Sequence, residues 1–173
     1  MKTLLSKFSF FSILALTSFL FLSFTQDVVW LDENHNQVTQ ENGVFYRPIP
    51  EKKRSIYLIV DYYKNGAKYR EGKATSLAVK KEVFKGYVTY FYSDGAEYKK
   101  EKYKNGVLDG SYKEYYPTGE LKIDGVYDRG VKERAWKIYY KTGKIKTKGK
   151  YRNGEKVGEW TTFYRDVYYP DDE

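Results

Sequence analysis

Tyr103-Lys104-Asn105-Gly106, Tyr127-Asp128-Arg129-Gly130 and Tyr151-Arg152-Asn153-Gly154 are one phrase in three copies, each 24 residues after the last. Other columns keep the same step: Gly95, Gly119 and Gly143; Tyr92, Tyr116, Tyr140 and Tyr164; Tyr112, Trp136 and Trp160. Within each copy the apolar residues alternate. Trp136, Ile138 and Tyr140 fall on one side of a strand, Lys137 and Tyr139 on the other, which is the period of two expected of a strand. Asn-Gly, Arg-Gly and Thr-Gly pairs punctuate the strands, where hairpin turns need positive φ. Each 24-residue unit therefore reads as two strands and two turns.

A looser copy lies upstream. Asp61-Tyr62-Tyr63-Lys64-Asn65-Gly66 parallels Tyr90-Phe91-Tyr92-Ser93-Asp94-Gly95 at an offset of 29, so five extra residues fall within 74–85. Consecutive hairpins make a meander. The fold class expected is all-β: an elongated antiparallel meander of tandem β-hairpin repeats in a single twisted sheet. Four units advance it by about 40 Å at a strand spacing of about 4.8 Å.

The phrases Tyr-Lys-Asn-Gly-Val-Leu-Asp-Gly (103–110), Tyr-Tyr-Pro-Thr-Gly-Glu-Leu-Lys (115–122) and Tyr-Arg-Asn-Gly-Glu-Lys-Val-Gly-Glu-Trp (151–160) resemble MORN-variant repeats. More closely, they are similar to the YwqK-type family labelled as antitoxin components. Residues 27–49 resemble a segment that precedes such repeats in exported proteins of Bacteroidetes-type bacteria. The resemblance covers about 56–164 and implies a hairpin array that binds something and lacks a known active site. Two positions depart from the pattern. Glu101 stands in the column of Gly125 and Gly149, and Arg134 in that of Gly110 and Gly158.

The chain has 173 residues, 20 tyrosines, one histidine and no cysteine, with a formal net charge of +8. The missing cysteine excludes disulfides, thiolate metal sites and a cysteine nucleophile. Lys2 and Lys7 precede an apolar run from Phe8 to Phe24, which holds six of the ten phenylalanines. This reads as a secretory signal over 1–25, cleaved before Gln26, with an uncleaved anchor as the competing reading. Export places the chain in the periplasm, the outer envelope or the medium. The remaining divisions are a capping segment over 26–55, repeats over 56–164 and an acidic tail over 165–173. Leucine is scarce after the leader, so an aromatic and β-branched core is expected.

Trp136, Ile138, Tyr140, Leu121, Ile123, Tyr127, Ile145, Tyr151, Trp160 and Tyr164 are expected on a packed face, partly covered by residues 27–50. The opposite face carries Phe91, Tyr115, Tyr139 and Phe163, again 24 residues apart, with Tyr62 upstream. Lys113 and Lys137 flank this stripe, as do Lys122, Lys146 and Lys148 on the partner strands. Aromatic rings edged by lysines suit an acidic protein surface, or a glycan or anionic lipid headgroup. Lysine stems lying over the rings would give the same pattern without a ligand. The leading expectation is a non-enzymatic binding module with a protein partner, toxin-like or of the envelope. No cofactor, metal or nucleic acid is expected: His35 is alone, the Asp32–Asn36 turn lacks the spacing of a calcium loop, and no nucleic-acid reader motif occurs.

Overall fold

The computed structural model describes residues 27–164. The expected leader and acidic tail lie outside them. Thirteen strands form one antiparallel sheet: β1 (Val28–Leu31), β2 (Gln37–Val38), β3 (Phe45–Pro48), β4 (Lys52–Lys53), β5 (Ile56–Tyr63), β6 (Lys68–Ala74), β7 (Phe84–Phe91), β8 (Glu97–Lys104), β9 (Val107–Tyr115), β10 (Leu121–Asp128), β11 (Val131–Tyr139), β12 (Ile145–Arg152) and β13 (Glu155–Thr162). From β5 to β13 every strand pairs with its neighbours in sequence, and no helix occurs among the described residues. This is the all-β single-sheet meander that the 24-residue period implies.

Two turn types alternate. Asn105-Gly106, Arg129-Gly130 and Asn153-Gly154 are two-residue connections with positive φ at both positions, as a type I′ turn requires. The other turns close on the repeating tyrosine. The Gly95 N–H donates to the Tyr92 carbonyl, Gly119 to Tyr116 and Gly143 to Tyr140. Both turn types also tie one repeat to another. The Gly106 N–H donates to the Phe84 carbonyl, Gly130 to Leu108 and Gly154 to Lys132, at 2.8–3.0 Å. On the opposite margin the phenol of Tyr63 donates to the Phe91 carbonyl, Tyr92 to Tyr115, Tyr116 to Tyr139 and Tyr140 to Phe163, at 2.7–2.9 Å. The tyrosine column expected in the core is instead a row of hydrogen-bonded staples. Tyr164, the last of the column, is 86% exposed.

A bulge in every hairpin from β5 to β13 corrects the expected faces. Leu121 pairs with Tyr115 while Ile123 pairs with Glu114, so Lys122 is an extra residue. Ile145 pairs with Tyr139 while Thr147 pairs with Ile138, so Lys146 is another. An extra residue shifts the alternation by one, and directly paired residues share a face. Leu121 and Ile145 therefore join Tyr115 and Tyr139 rather than Ile123 and Ile138.

Covering is also distributed differently from expectation. Residues 27–50 do not lie across the repeats. They extend the sheet in its own plane, β3 pairing with β5 and β1 with β3. The cover comes from the five-residue insertion and the Asp32–Asn36 turn. Lys80 on the loop after β6 donates to Asn36, and Glu82 accepts from Arg47 and Arg70. Under this cover lie Leu31, Phe45, Ile59, Ala74, Phe84, Val88 and Tyr90, all buried. Beyond Phe91 the only large apolar residue buried to that degree, among those described, is Trp136. The C-terminal half is a single layer with both faces wet.

A four-residue ionic cluster fills the covered end. Both Asp61 oxygens accept from Arg47, from Nε at 2.5 Å and Nη2 at 3.0 Å; Arg70 Nε and Nη2 donate to Oδ2 at 2.9 and 2.6 Å. Arg47 Nη2 also reaches Glu82 at 2.8 Å. Burial pushes the Asp61 carboxyl up, but the Arg47 hydrogen bonds and both guanidinium charges outweigh it and hold it below its ordinary value. Two positive and two negative charges cancel inside the cluster.

Two consequences are testable. His35 stacks on Phe45, with ring centroids 5.6 Å apart, and lies against Tyr69. Burial, aided by the Arg70 charge, holds its imidazole below the ordinary 6.5; Asp61 and Glu82 act in the opposite sense without prevailing. The unfolded chain then takes up a proton below about pH 6.5 that the fold resists, so stability falls as pH drops from 7 to 5. Asp61, depressed from 3.8, contributes in full throughout that window and loses its contribution only as pH falls below about 3.8. Thermal melts at pH 7, 6 and 5 should show the decline, and His35→Asn should flatten it. Arg134 has φ 63°, in the column where Gly86, Gly110 and Gly158 are also positive. A side chain there costs about 1–2 kcal/mol, partly offset by the entropy glycine loses on folding. Arg134→Gly should raise the denaturation free energy by up to about 1 kcal/mol; a lower value would contradict this.

Candidate binding face

The strand registers define two faces. One carries a ladder of rings at right angles. Tyr112, Tyr127, Trp136, Tyr151 and Trp160 follow one another with centroids 5.0–5.5 Å apart. Edge-to-face contacts of this kind add about 0.5–1.5 kcal/mol each beyond the area they bury. Gly125 and Gly149 make the ladder feasible. A Cβ there would stand 2.4 Å from a Trp136 ring carbon and 2.2 Å from a Trp160 ring carbon. Lys132 and Lys156 cap the indoles, each ammonium 4.5 Å from a ring centre.

Glu101 belongs to the same face. It pairs with Val88 and Tyr112 and is 5% exposed. Its carboxylate accepts from the Tyr103 phenol at 3.0 Å and pairs with Lys99 at 3.0 Å. The acid standing in a glycine column is thus buried and satisfied. Burial, with the Tyr90 and Glu101 charges, pushes the Tyr103 phenol up.

The second face carries two parallel rows. Pairing of Phe91 with Glu97, Tyr115 with Leu121 and Tyr139 with Ile145 places these six in the first row. Phe163 ends it; its N–H donates to the Lys146 carbonyl, and the Lys148 ammonium lies 5.3 Å from its ring centre. The second row is a continuous chain of pairs: Thr89 with Lys100, Lys100 with Lys113, Lys113 with Asp124, Asp124 with Lys137, Lys137 with Lys148. Two of these pairs set lysine directly against lysine. Like charges in that position are destabilising. None of these four lysines forms a salt bridge among the described residues.

Of the residues expected at this site, Phe91, Tyr115, Tyr139, Phe163, Lys113 and Lys137 are brought together. Lys122 and Lys146 are not. Both are the extra residues of bulges. Lys122 turns to Glu114, at 3.5 Å, and Lys146 lies 5.6 Å over the Tyr140 ring. Lys100, Leu121 and Ile145 take their places. A count of residues between Tyr115 and Ile123 against those between Tyr139 and Thr147 does not reveal this, because every repeat carries the same bulge.

A cleft of about 260 Å³ opens where the rows meet, lined by Tyr87, Lys100, Ser111, Lys113 and Tyr115. The Ser111 hydroxyl donates to the Tyr87 phenol oxygen at 3.4 Å. That bond, with the charges of Lys102, Lys100 and Lys113, holds the phenol below its ordinary value. The cleft is a concentration of positive potential with hydroxyl donors at its floor. No family model matches the chain, and no curated protein matches it. Among the described residues no three His, Asp or Glu side chains converge as a metal site would need. The Asp32 carboxylate is spent on Asn34 and Asn36, at 2.8–2.9 Å.

Proposed function

We propose that this chain is an exported, non-enzymatic MORN-variant repeat module that docks an acidic protein surface on its lysine and aromatic rows. The observation that carries the reading is the pairing of Lys100 with Lys113 and of Lys137 with Lys148 beside Tyr115, Leu121, Tyr139 and Ile145. An isolated sheet gains nothing from opposed ammonium groups. An acidic partner neutralises them while its apolar side chains cover the neighbouring row. The cleft at Tyr87 and Ser111 supplies donors for a partner carboxylate. The apolar leader supports an envelope partner, and the repeat phrases support the antitoxin-like class.

The test is capture from envelope extract with the mature chain. Wild type should retain a partner that is released by salt, and Lys113→Glu with Lys137→Glu should retain none. Retention unaffected by both salt and charge reversal would overturn the reading. A second reading follows from the half-buried Tyr115 and Tyr139 rings, which are placed for stacking on sugar. Binding to cell-wall glycan that is insensitive to salt but lost in Tyr115→Ala with Tyr139→Ala would favour it.

A further inference from the structure

We infer that a groove at the N-terminal end of the sheet binds a single-chain anionic amphiphile, a long-chain carboxylate. The groove lies at the N-terminal margin of the repeats, where β5 meets the capping segment, and Tyr62 of the aromatic column forms one end of it. It has a volume of about 730 Å³, within the range of small-molecule sites.

Its origin is a split in strand pairing. β3 pairs with β5 at Tyr62 and Tyr63, and β4 pairs with β5 at Ile56 and Tyr57. Between these contacts Pro48, Ile49, Pro50 and Glu51 turn away from β5, Pro48 still paired with Val28 of β1, and the gap opens beside Leu58 and Val60. Two prolines in the departing segment lack the N–H groups that would pair with β5. Ile49, Ile56 and Leu58 remain 61%, 39% and 48% exposed. Three large aliphatic side chains so exposed in one concavity mark a binding surface rather than ordinary scatter.

The groove is also polarised. Along β5 its floor runs Tyr62, Val60, Leu58, Ile56, about 20 Å of extended chain. At one end Tyr62 stacks on Tyr46, with centroids 5.3 Å apart. At the other, Lys73 pairs with Leu58 and Lys53 pairs with Ile56, so an ammonium stands on each side of the floor. Glu51 is the one acidic residue in the lining. A long apolar floor ending between two cations complements a chain with an anionic head, and its length accommodates one chain.

The experiment uses the protein recovered after export, titrated with 11-(dansylamino)undecanoic acid and displaced by laurate or 1-dodecanol below their aggregation limits. Laurate should displace the probe several-fold, up to about tenfold, more effectively than the alcohol, as two exposed charge contacts allow. Leu58→Glu should weaken the probe by more than tenfold while leaving the near-ultraviolet dichroism of the distant Trp136 ladder unchanged. Lys53→Gln with Lys73→Gln should erase the preference for laurate. Equal displacement by alcohol and acid in wild type, or undiminished binding in Leu58→Glu, overturns the proposal. So does displacement by a peptide of residues 15–25 in the absence of any effect of laurate, which would assign the groove to the chain's own leader.

Discussion

Asp61→Ala is expected to cost about 3–5 kcal/mol, the largest single loss in the molecule. The carboxylate is fully buried and receives four hydrogen bonds from Arg47 and Arg70. Its removal leaves two guanidinium groups, 2% and 8% exposed, sharing Glu82 alone. Breaking a buried pair from one side strands the other charge, and that penalty is what the denaturation curve reads. Asp61→Asn should fall between wild type and alanine, because it keeps the shape and part of the bonding. A loss below about 1 kcal/mol for Asp61→Ala would mean that water reaches the cluster and that the loop 75–83 does not cover it.

Gly125→Ala is expected to cost about 2–3 kcal/mol, and Gly149→Ala less. In both cases the added methyl meets an indole ring. The difference lies in whether the ring can retreat. Trp136 is 5% exposed, held between Tyr127 and Tyr151, and its Nε1 donates to the carbonyls of Val126 and Glu133. Among the described residues Trp160 has a ring on one side only and donates to one carbonyl, that of Lys150. Overpacking against a fixed neighbour costs about 1–3 kcal/mol. Urea denaturation monitored by tryptophan fluorescence should separate the two variants. In a Trp136→Leu background the Gly125→Ala penalty should shrink, since the obstructing ring is gone. Equal costs at 125 and 149 would contradict the account of the ladder.

These two variants mark what a reader of the sequence can and cannot see. The meander is legible because Gly106, Gly130 and Gly154 repeat with their partners at a fixed step, and a turn that needs positive φ at two positions leaves few residue choices. The place of Gly125 beneath an aromatic is legible for the same reason. Glu101 and Arg134 stand out as exceptions in their columns, and both prove structurally distinct: one a buried acid, the other a side chain at positive φ. The faces of Leu121 and Ile145 are not legible, since one bulge residue per hairpin reverses the alternation without altering the period. Nor is the ionic cluster. Its members span Arg47 to Glu82, and only the covering loop, which breaks the repeat, brings Glu82 to Arg47. Asp61 within the run Ile56–Tyr63 was the one available sign, a charge in the middle of a strand.

The same division applies to the candidate binding face. Phe91, Tyr115, Tyr139, Lys113 and Lys137 follow from spacing, because they sit between bulges and keep their parity. Lys122 and Lys146 do not follow, because they are the bulges. Opposition of Lys100 to Lys113 depends on register across β8 and β9, where the pairing shifts between Glu101 and Tyr103.

One face carries the aromatic ladder that packs the sheet, and the other is the proposed binding surface. The most direct measurement is the unfolding free energy of the double variant Tyr115→Ala with Tyr139→Ala. Surface substitutions away from the packed ladder typically change stability by about 0.5 kcal/mol or less. A combined loss below about 1 kcal/mol is expected, since these rings lie opposite the ladder. A loss of about 3 kcal/mol or more would show that the row is part of the structural core and would contradict its assignment as the binding surface.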